Sequence, residues 1–290
     1  MFAATQVVPI MDGLAKYLSP RYPAWQLTWS RFFFHLLALA PVVLHRFEWK
    51  ELWPRQPFLQ LARGACLMVA TTLFFASIAH IPLADALVLL FSYPLIVSVL
   101  SPMLLGEEVG VGRWAAVAIG FLGVLILLRP GFTAFDWGSL SAVAAGACYA
   151  VYILVTRSLS GTAHPLVTLT YTAVFPAIAL TATAPLFWVP PRLVDLPYMA
   201  AIGIVAAAGH FLLILAFERA PASVLAPLGY AEILMATLIG YVVFHDFPDR
   251  WTWVGIAIVI ASGIYVLVRE QRDDRRRRRE LPIEAVEPPA

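Results

Sequence analysis

Long apolar runs follow one another along almost the whole chain, and they constrain the fold more than any other feature. A helix of roughly 20 apolar residues is long enough to cross the hydrocarbon core of a bilayer, which is about 30 Å thick. Charged residues make up 13% of the sequence, whereas a soluble domain has about 25%. The sequence therefore predicts an all-α polytopic membrane protein and excludes an ordinary soluble domain. We place ten spans at residues 2–19, 24–44, 59–80, 83–105, 112–129, 138–158, 165–188, 198–218, 222–243 and 251–269.

Lysine and arginine predict the orientation, because cytoplasmic loops of membrane proteins carry an excess of these residues. With the Arg275–Arg279 run inside the cell, fourteen of the twenty basic residues fall in cytoplasmic segments and four in outer loops. The cytoplasmic set is Arg46, Lys50, Arg55, Arg63, Arg113, Arg157, Arg219, Arg269, Arg272 and the five arginines of that run. We therefore expect a multi-pass protein of the cell (inner or plasma) membrane with both termini in the cytoplasm.

The start of the chain carries no basic segment before its first apolar run, so we expect no cleavable signal peptide. That run is short and contains Asp12 and Lys16, which leaves open whether the native chain begins upstream of Met1. Cys66 and Cys148 lie in apolar runs without metal-ligand spacing, and we interpret them as packing residues.

An internal repeat becomes visible when the chain is moved along itself by about 139 residues. Pro82 then falls on Pro221, Glu107 on Asp246, and Trp114 on Trp253. Each half would hold five spans, and an odd number of spans inverts the second half relative to the first. We predict a first five-helix repeat over 1–129, a second over 130–269, and a disordered cytoplasmic tail over 270–290.

Two stretches resemble drug/metabolite transporters of the EamA type. Residues 11–18 read MDGLAKYL and are followed by Tyr22-Pro23, Gln26 and Arg31-Phe32-Phe33, similar to the first hairpin of these proteins. Residues 106–108 read GEE and lead to Trp114, Gly120 and Gly123, similar to the end of the first EamA repeat. The resemblance implies ten helices in two inverted repeats around a central cavity, and a transporter of an unspecified small metabolite.

Ionisable side chains inside the spans are costly to insert, so each of them requires a reason. Asp12 and Lys16 share one face of the first span, and Arg31 and His35 share one face of the second. Counting residues from the turn between the spans puts Asp12 and Arg31 at a similar depth. We expect these two to pair, either as a structural salt bridge or as part of a substrate or proton site.

Glu232 is the sharpest single candidate for a functional residue, because it lies near the middle of the ninth span beside Gly229 and Tyr230. Its counterpart in the first repeat is Tyr93, next to Pro94. Interrupted helices at the midplane are typical of transporter binding sites. Glu232 could bind a cationic group or carry a coupling proton, or it could be a hydrogen-bonded structural residue.

The predicted substrate site lies between the fourth and ninth spans. Its predicted residues are Ser92, Tyr93, Tyr149, His210, Tyr230 and Glu232. A histidine in a span can equally be a hydrogen-bonded packing residue, and this alternative stays open for His210. We expect protons as a candidate coupling ion, no cofactor, no metal and no nucleic-acid partner; the sequence leaves the oligomeric state open.

Catalytic motifs are missing: the sequence has no phosphate-binding glycine loop, no HExxH and no nucleophile elbow. We therefore predict a non-enzymatic secondary transporter of an amino-acid-like or aromatic compound. By analogy with the family, export is the preferred direction. The alternatives are an uptake carrier for a vitamin or nucleoside-like metabolite such as riboflavin or S-adenosylmethionine and, more remotely, an intramembrane enzyme or a channel.

Overall fold

The computed structural model describes residues 2–48, 50–105, 111–128, 137–159, 162–186, 188–219, 229 and 231–280. Within these ranges the chain is helical and contains no β-strand, as predicted. Its α-helices are α1 (Phe2–Leu18), α2 (Ala24–Arg46), α3 (Pro57–Ile78), α4 (Leu83–Leu90), α5 (Tyr93–Leu105), α6 (Val111–Leu128), α7 (Trp137–Ser158), α8 (Pro165–Thr183), α9 (Leu196–Arg219), α10 (Ala231–Phe244) and α11 (Arg250–Glu280). A 3-10 turn, Ala184–Leu186, extends α8.

The lengths of the helices support the membrane assignment. In the described part of the chain, five segments are long and apolar enough to cross a bilayer: Ala24–Arg46, Pro57–Ile78, Trp137–Thr156, Pro165–Leu186 and Leu196–Leu213. The shorter apolar helices are Leu83–Val97, Val117–Ile126, Ala231–Phe244 and Arg250–Tyr265. The all-α membrane architecture is therefore confirmed, while the count of ten spans stays a prediction.

The predicted fourth span consists of two helices, because α4 ends at Leu90 and α5 begins at Tyr93. Pro94 has no amide proton to donate to the carbonyl of Leu90, and this loss disfavours a continuous helix. The neighbouring helix α7 packs closely on the break through Gly146. A Cβ atom at Gly146 would lie 2.9 Å from both the Leu90 carbonyl oxygen and Ser92 Oγ, so only glycine allows this approach.

The helices surround a core to which both halves of the chain contribute. Helix α3 packs on α7 and α8, and α9 packs on α1 and α2. Helix α4 contacts α7 and α10, α1 contacts α10, and α6 pairs with α11. The largest apolar cluster includes Leu27, Phe75, Leu87, Met199 and Ile233, so it draws side chains from both halves of the sequence.

Two glycines that lie 139 residues apart each allow a close approach between helix backbones. A Cβ at Gly64 of α3 would lie 3.2 Å from the carbonyl oxygens of Tyr171 and Thr172 on α8. A Cβ at Gly203 of α9 would lie 2.6 Å from the backbone nitrogen of His35 on α2. Small residues allow helix backbones to approach in this way within membranes.

One end of the bundle, here named the Lys16 end, carries the turns at 19–23, 79–82, 188–195 and 245–249. Lys16 Nζ forms an ion pair with Asp246 Oδ2 at 3.3 Å and donates a hydrogen bond to the Ile81 carbonyl at 2.8 Å. Asp195 accepts a hydrogen bond from Tyr22 Oη at 2.8 Å and pairs with Arg21 at 3.3 Å. These contacts join turns from both halves of the chain. The opposite end is named the tail end.

Helix α11 continues into the segment that the sequence predicted to be a disordered tail from residue 270. It is helical as far as Glu280, and residues 281–290 lie outside the described part of the chain. In the sequence, Asp273 and Asp274 precede Arg277 and Arg278 by four positions. Acid–base pairs at this spacing stabilise a helix by a few tenths of a kcal/mol each, roughly 0.2–0.5, and they offer a physical reason for the extension.

The contact at Gly203 predicts a steep cost for any larger side chain there. We expect Gly203→Leu to destabilise the protein by about 3 kcal/mol or more, because overpacking forces α9 away from α2. Ala208→Leu is the matched control, since Ala208 is exposed on the same helix. The measurement is the melting temperature of detergent-purified protein. Equal melting temperatures for the two variants would contradict the close approach of α9 and α2.

Candidate functional site

Arg31 is the centre of a buried polar cluster inside the bundle. Its side chain is only 5% exposed. One guanidinium nitrogen donates to Thr71 Oγ1 of α3, and the other lies 3.1 Å from His210 Nε2 of α9. Thr71 and His210 are 139 positions apart, the same interval as the predicted repeats. Arg31 therefore bridges equivalent positions in the two halves of the chain.

Asp12 does not form the predicted ion pair with Arg31. The ion pairs among the described residues, Lys16–Asp246 and Arg21–Asp195, do not include it. Asp12 is buried and interacts electrostatically with both Arg31 and Glu232. Counting residues from a turn gives the depth of a side chain but not its direction. The Arg31 guanidinium points to α3 and α9 instead.

The two other members of the predicted charge group have different positions. Lys16 is tied to Asp246 at the Lys16 end and lies apart from the cluster. His35 is buried one turn beyond Arg31, and its ring centre lies 6.5 Å from that of His210. The structure thus separates Lys16 from the cluster and places His35 next to it.

Three tyrosines form an aromatic wall beside the cluster. The rings of Tyr93 and Tyr149 meet edge to face with centres 4.9 Å apart, and Tyr149 stacks on Tyr152 at 5.4 Å. Phe91, at the break between α4 and α5, lies 5.7 Å from the Tyr93 ring. Tyr149 also lies within electrostatic range of Arg31 and of Glu232. The break in the fourth span therefore places Tyr93 against α7, in reach of the charged cluster.

Glu232 lies in the first turn of α10, and its side chain is half-buried. Gly229 lies beside Phe91, since a Cβ there would be 3.8 Å from the Phe91 ring. The fourth and ninth segments therefore approach each other near the break. Tyr230 lies outside the described residues.

Ser92 occupies the break itself and is fully buried. Its hydroxyl oxygen has no hydrogen-bond partner in the described structure. Together with Asp12, Arg31, Tyr93, Tyr149, His210 and Glu232 it forms what we name the central cluster. Groups of both charge signs beside aromatic rings suit noncovalent binding of a small polar molecule. Among the described residues, no three His, Cys, Asp or Glu side chains are grouped to hold a metal ion.

Sequence reasoning did not identify Arg63 and Gln60 as buried polar residues, and it counted Arg63 among the cytoplasmic charges. The structure places Arg63 inside α3, 2% exposed, where it donates to Thr168 O at 2.6 Å and Thr172 Oγ1 at 2.5 Å on α8. Its guanidinium carbon also lies 5.9 Å from the Tyr152 ring centre. A cationic residue a few positions inside an apolar run was the available signal.

A separate small cavity, with a volume of about 10 Å³, opens at the Lys16 end between α2 and α8. Trp25, Trp29 and Trp188 line it, and Gln26 closes one side by exchanging two hydrogen bonds with the backbone of Val189. Tryptophans at this level match the interfacial belt of membrane proteins. The cavity lies apart from the central cluster.

Comparison with known proteins gives two matches to one family. The profile of the EamA-like transporter family matches residues 9–129 and again residues 136–269. A solved crystal structure covers 94% of this chain and 98% of its own, with a TM-score of 0.65 at 20% identity. At that identity the likeness concerns the fold alone.

Three relatives illustrate the functions of similar chains. The S-adenosylmethionine uptake transporter of Rickettsia bellii is 28% identical over 90% of this chain and 89% of its own. The riboflavin transporter of Vibrio cholerae is 25% identical over 96% and 95%. The pseudopaline exporter CntI of Pseudomonas aeruginosa is 30% identical over 89% of each chain.

The forked geometry of Arg31 predicts that a lysine cannot replace it. Arg31→Lys keeps the charge but cannot hold Thr71 and His210 together, because an ammonium group lacks the planar fork. We expect a loss of about 1.5–3 kcal/mol in stability, the range for hydrogen bonds to charged groups. Thermal unfolding of purified protein measures it, with the exposed Arg46→Lys on the same helix as the control. An unchanged melting temperature in Arg31→Lys would contradict the bridging role.

Proposed function

The chain belongs to the EamA-like transporter family, and on that premise we propose that it moves a small organic metabolite with an amino-acid-like or aromatic part through the central cluster. The observation that carries this proposal is the convergence of Asp12, Arg31, Tyr149, His210 and Glu232 inside a bundle of apolar helices. Polar groups are expensive in a bilayer and mark the pathway of a polar solute. We propose no enzymatic role.

Two inverted repeats, 1–129 and 130–269, provide the proposed framework. When each of the ten spans is exchanged with the span five places away along the chain, the α3–α7 contact becomes the α9–α1 contact. The α6–α11 contact is unchanged by this exchange. Gly64 and Gly203 make equivalent close approaches at the same interval. The family profile also matches each half separately. These observations support the repeat proposal, with the remaining residues as a cytoplasmic tail.

The proposed substrate contacts are of three kinds. Tyr93 and Tyr149 offer aromatic faces with a polar handle, and Ser92, His210 and Tyr230 offer hydrogen bonds. Glu232 can bind an ammonium or other cationic group, or carry a coupling proton. A role in coupling would explain why a carboxyl group is kept deep in the bundle, close to Asp12.

The direction of transport has two candidates. Export is our first proposal, and the exporter CntI is among the relatives of this chain. Uptake is the second candidate, because other relatives are named as S-adenosylmethionine uptake and riboflavin transporters. We propose that the tail end faces the cytoplasm and the Lys16 end faces outward, as the distribution of basic residues favours.

The role proposed for Glu232 predicts a selective loss of transport. Glu232→Gln keeps the size of the side chain but removes its proton exchange and its charge. We expect at least a tenfold fall in uptake driven by a pH gradient, with folding nearly unchanged. Proteoliposomes with radiolabelled S-adenosylmethionine or riboflavin provide the assay, and Glu48→Gln, at an exposed glutamate, is the control. Normal rates and normal pH dependence in Glu232→Gln would refute the assignment.

The proposed orientation predicts which engineered cysteines react from outside the cell. In a background with Cys66→Ser and Cys148→Ser, we expect Arg192→Cys to react with a membrane-impermeant maleimide. Arg55→Cys and Ala290→Cys should react only after the cells are permeabilised. External labelling at position 290 would contradict an even number of spans with the amino terminus inside.

A further inference from the structure

Two buried arginines, Arg31 within the central cluster and Arg63 at a different depth beside it, form no ion pair with a carboxylate among the described residues. Arg31 is 5% and Arg63 is 2% exposed, and the ion pairs of the described residues include neither. A buried charge is costly unless an opposite charge compensates for it. In each guanidinium the Nε atom is buried and has no hydrogen-bond partner in the described structure.

Polar side chains near the two arginines also have buried atoms without hydrogen-bond partners in the described structure. Gln60, one turn before Arg63 on α3, is fully buried and neither of its amide atoms is bonded within the described residues. His35 Nε2 and His210 Nδ1, beside Arg31, likewise have no partner there. Most buried polar atoms in proteins are hydrogen-bonded, so a group of unbonded atoms on three adjacent helices requires an explanation.

We propose that Arg31 with His210, and Arg63 with Gln60, form two stations that bind the carboxylate group of the transported metabolite. The proposal rests on the transport function proposed above and specifies its substrate class. Guanidinium groups bind carboxylates through paired N–H donors, and each arginine retains an unbonded Nε–H for that purpose. The amide of Gln60 adds a donor next to Arg63.

The spacing of the stations suits movement along the pathway. Arg63 and Thr71, the partner of Arg31, are eight residues apart on α3, which corresponds to about 12 Å. Tyr152 lies beside Arg63 and interacts electrostatically with Arg31. A carboxylate could thus pass from the Arg63 station, nearer the tail end, to the Arg31 station in the centre.

The opposite side of the cluster carries the complementary charge. Asp12 on α1 and Glu232 on α10 lie close enough to interact with each other and could bind a positive group, while the arginines on α2 and α3 bind the negative one. A zwitterionic metabolite of amino-acid type, with an apolar or aromatic part, matches this arrangement.

Thermal unfolding with acetate and acetamide as probes tests the carboxylate stations directly. Both probes have the same size, but only acetate is an anion, and a ligand that binds the folded state raises the melting temperature. At constant ionic strength, we expect a saturable rise with acetate and little change with acetamide. Arg46→Met, at an exposed arginine of α2, should behave as the wild type does.

Two variants test whether the rise in melting temperature with acetate comes from the station formed by Arg63 and Gln60. Arg63→Met should lose most of the shift that acetate causes. Because Arg63 also ties α3 to α8, this variant alone could fail to fold. Gln60→Leu breaks no hydrogen bond in the described structure; it should melt at the same temperature or higher without acetate and show a smaller acetate shift. A purely structural role for Gln60 would give a lower melting temperature instead.

The other outcomes would overturn the inference. Equal shifts with acetate and acetamide, or none at all, would mean that the unbonded groups are only hydrated. A full acetate shift in both Arg63→Met and Gln60→Leu would place the anion elsewhere. Glu232→Gln should keep its acetate shift, so a failure of the coupling role of Glu232 and a failure of the carboxylate stations give different results.

Discussion

The hydrocarbon core of a membrane offers no water to backbone amides and carbonyls, and the rest of this structure depends on that constraint. Helices satisfy it within each segment, so the described chain is helical apart from its turns. A break in a helix is tolerated only where protein or a wet cavity covers it. The break at Phe91–Ser92 meets this condition, because Gly146 lets α7 cover the freed backbone while Tyr93 packs against Tyr149 of the same helix.

Positions that pack helices together and positions that carry charge inside the bundle differ in whether they have an equivalent in the other half of the chain. Positions that hold helices together have equivalents in both halves: Gly64 corresponds to Gly203, and the positions of Thr71 and His210 both contact Arg31. The positions that supply charge have no charged equivalent in the other half of the chain. Arg63 corresponds to Ile202, and Tyr93 to Glu232. In the proposed arrangement of two repeats, a frame with equivalent packing positions would present a basic side and an acidic side to one solute.

Hydropathy predicted the helical membrane fold because the bilayer imposes length and composition directly on each segment. Depth could also be counted, so Tyr93, Tyr149 and Arg31 were assigned to the interior. The direction in which a side chain points around its helix axis could not be counted in this way. Arg31 points to Thr71 and His210 rather than to Asp12, since the packing of α2 on α9 sets the rotation of α2 about its axis. Arg63 was taken for a loop charge because an apolar window tolerates one arginine near its end. Tyr230 lies outside the described residues, so its predicted role remains a prediction.

The Lys16 ammonium group links three segments, since it bonds the 79–82 turn of one half and Asp246 of the other from its own place on α1. The lysine side chain is 13% exposed and that of Asp246 is 35% exposed, so water can replace these bonds at small cost. Ion pairs at such sites contribute about 1 kcal/mol or less. Contacts of this strength would hold the Lys16 end together for most of the time, but thermal motion can break them repeatedly. Lys16 thereby acts as a weak, exchangeable link between the two halves of the chain, apart from the central cluster.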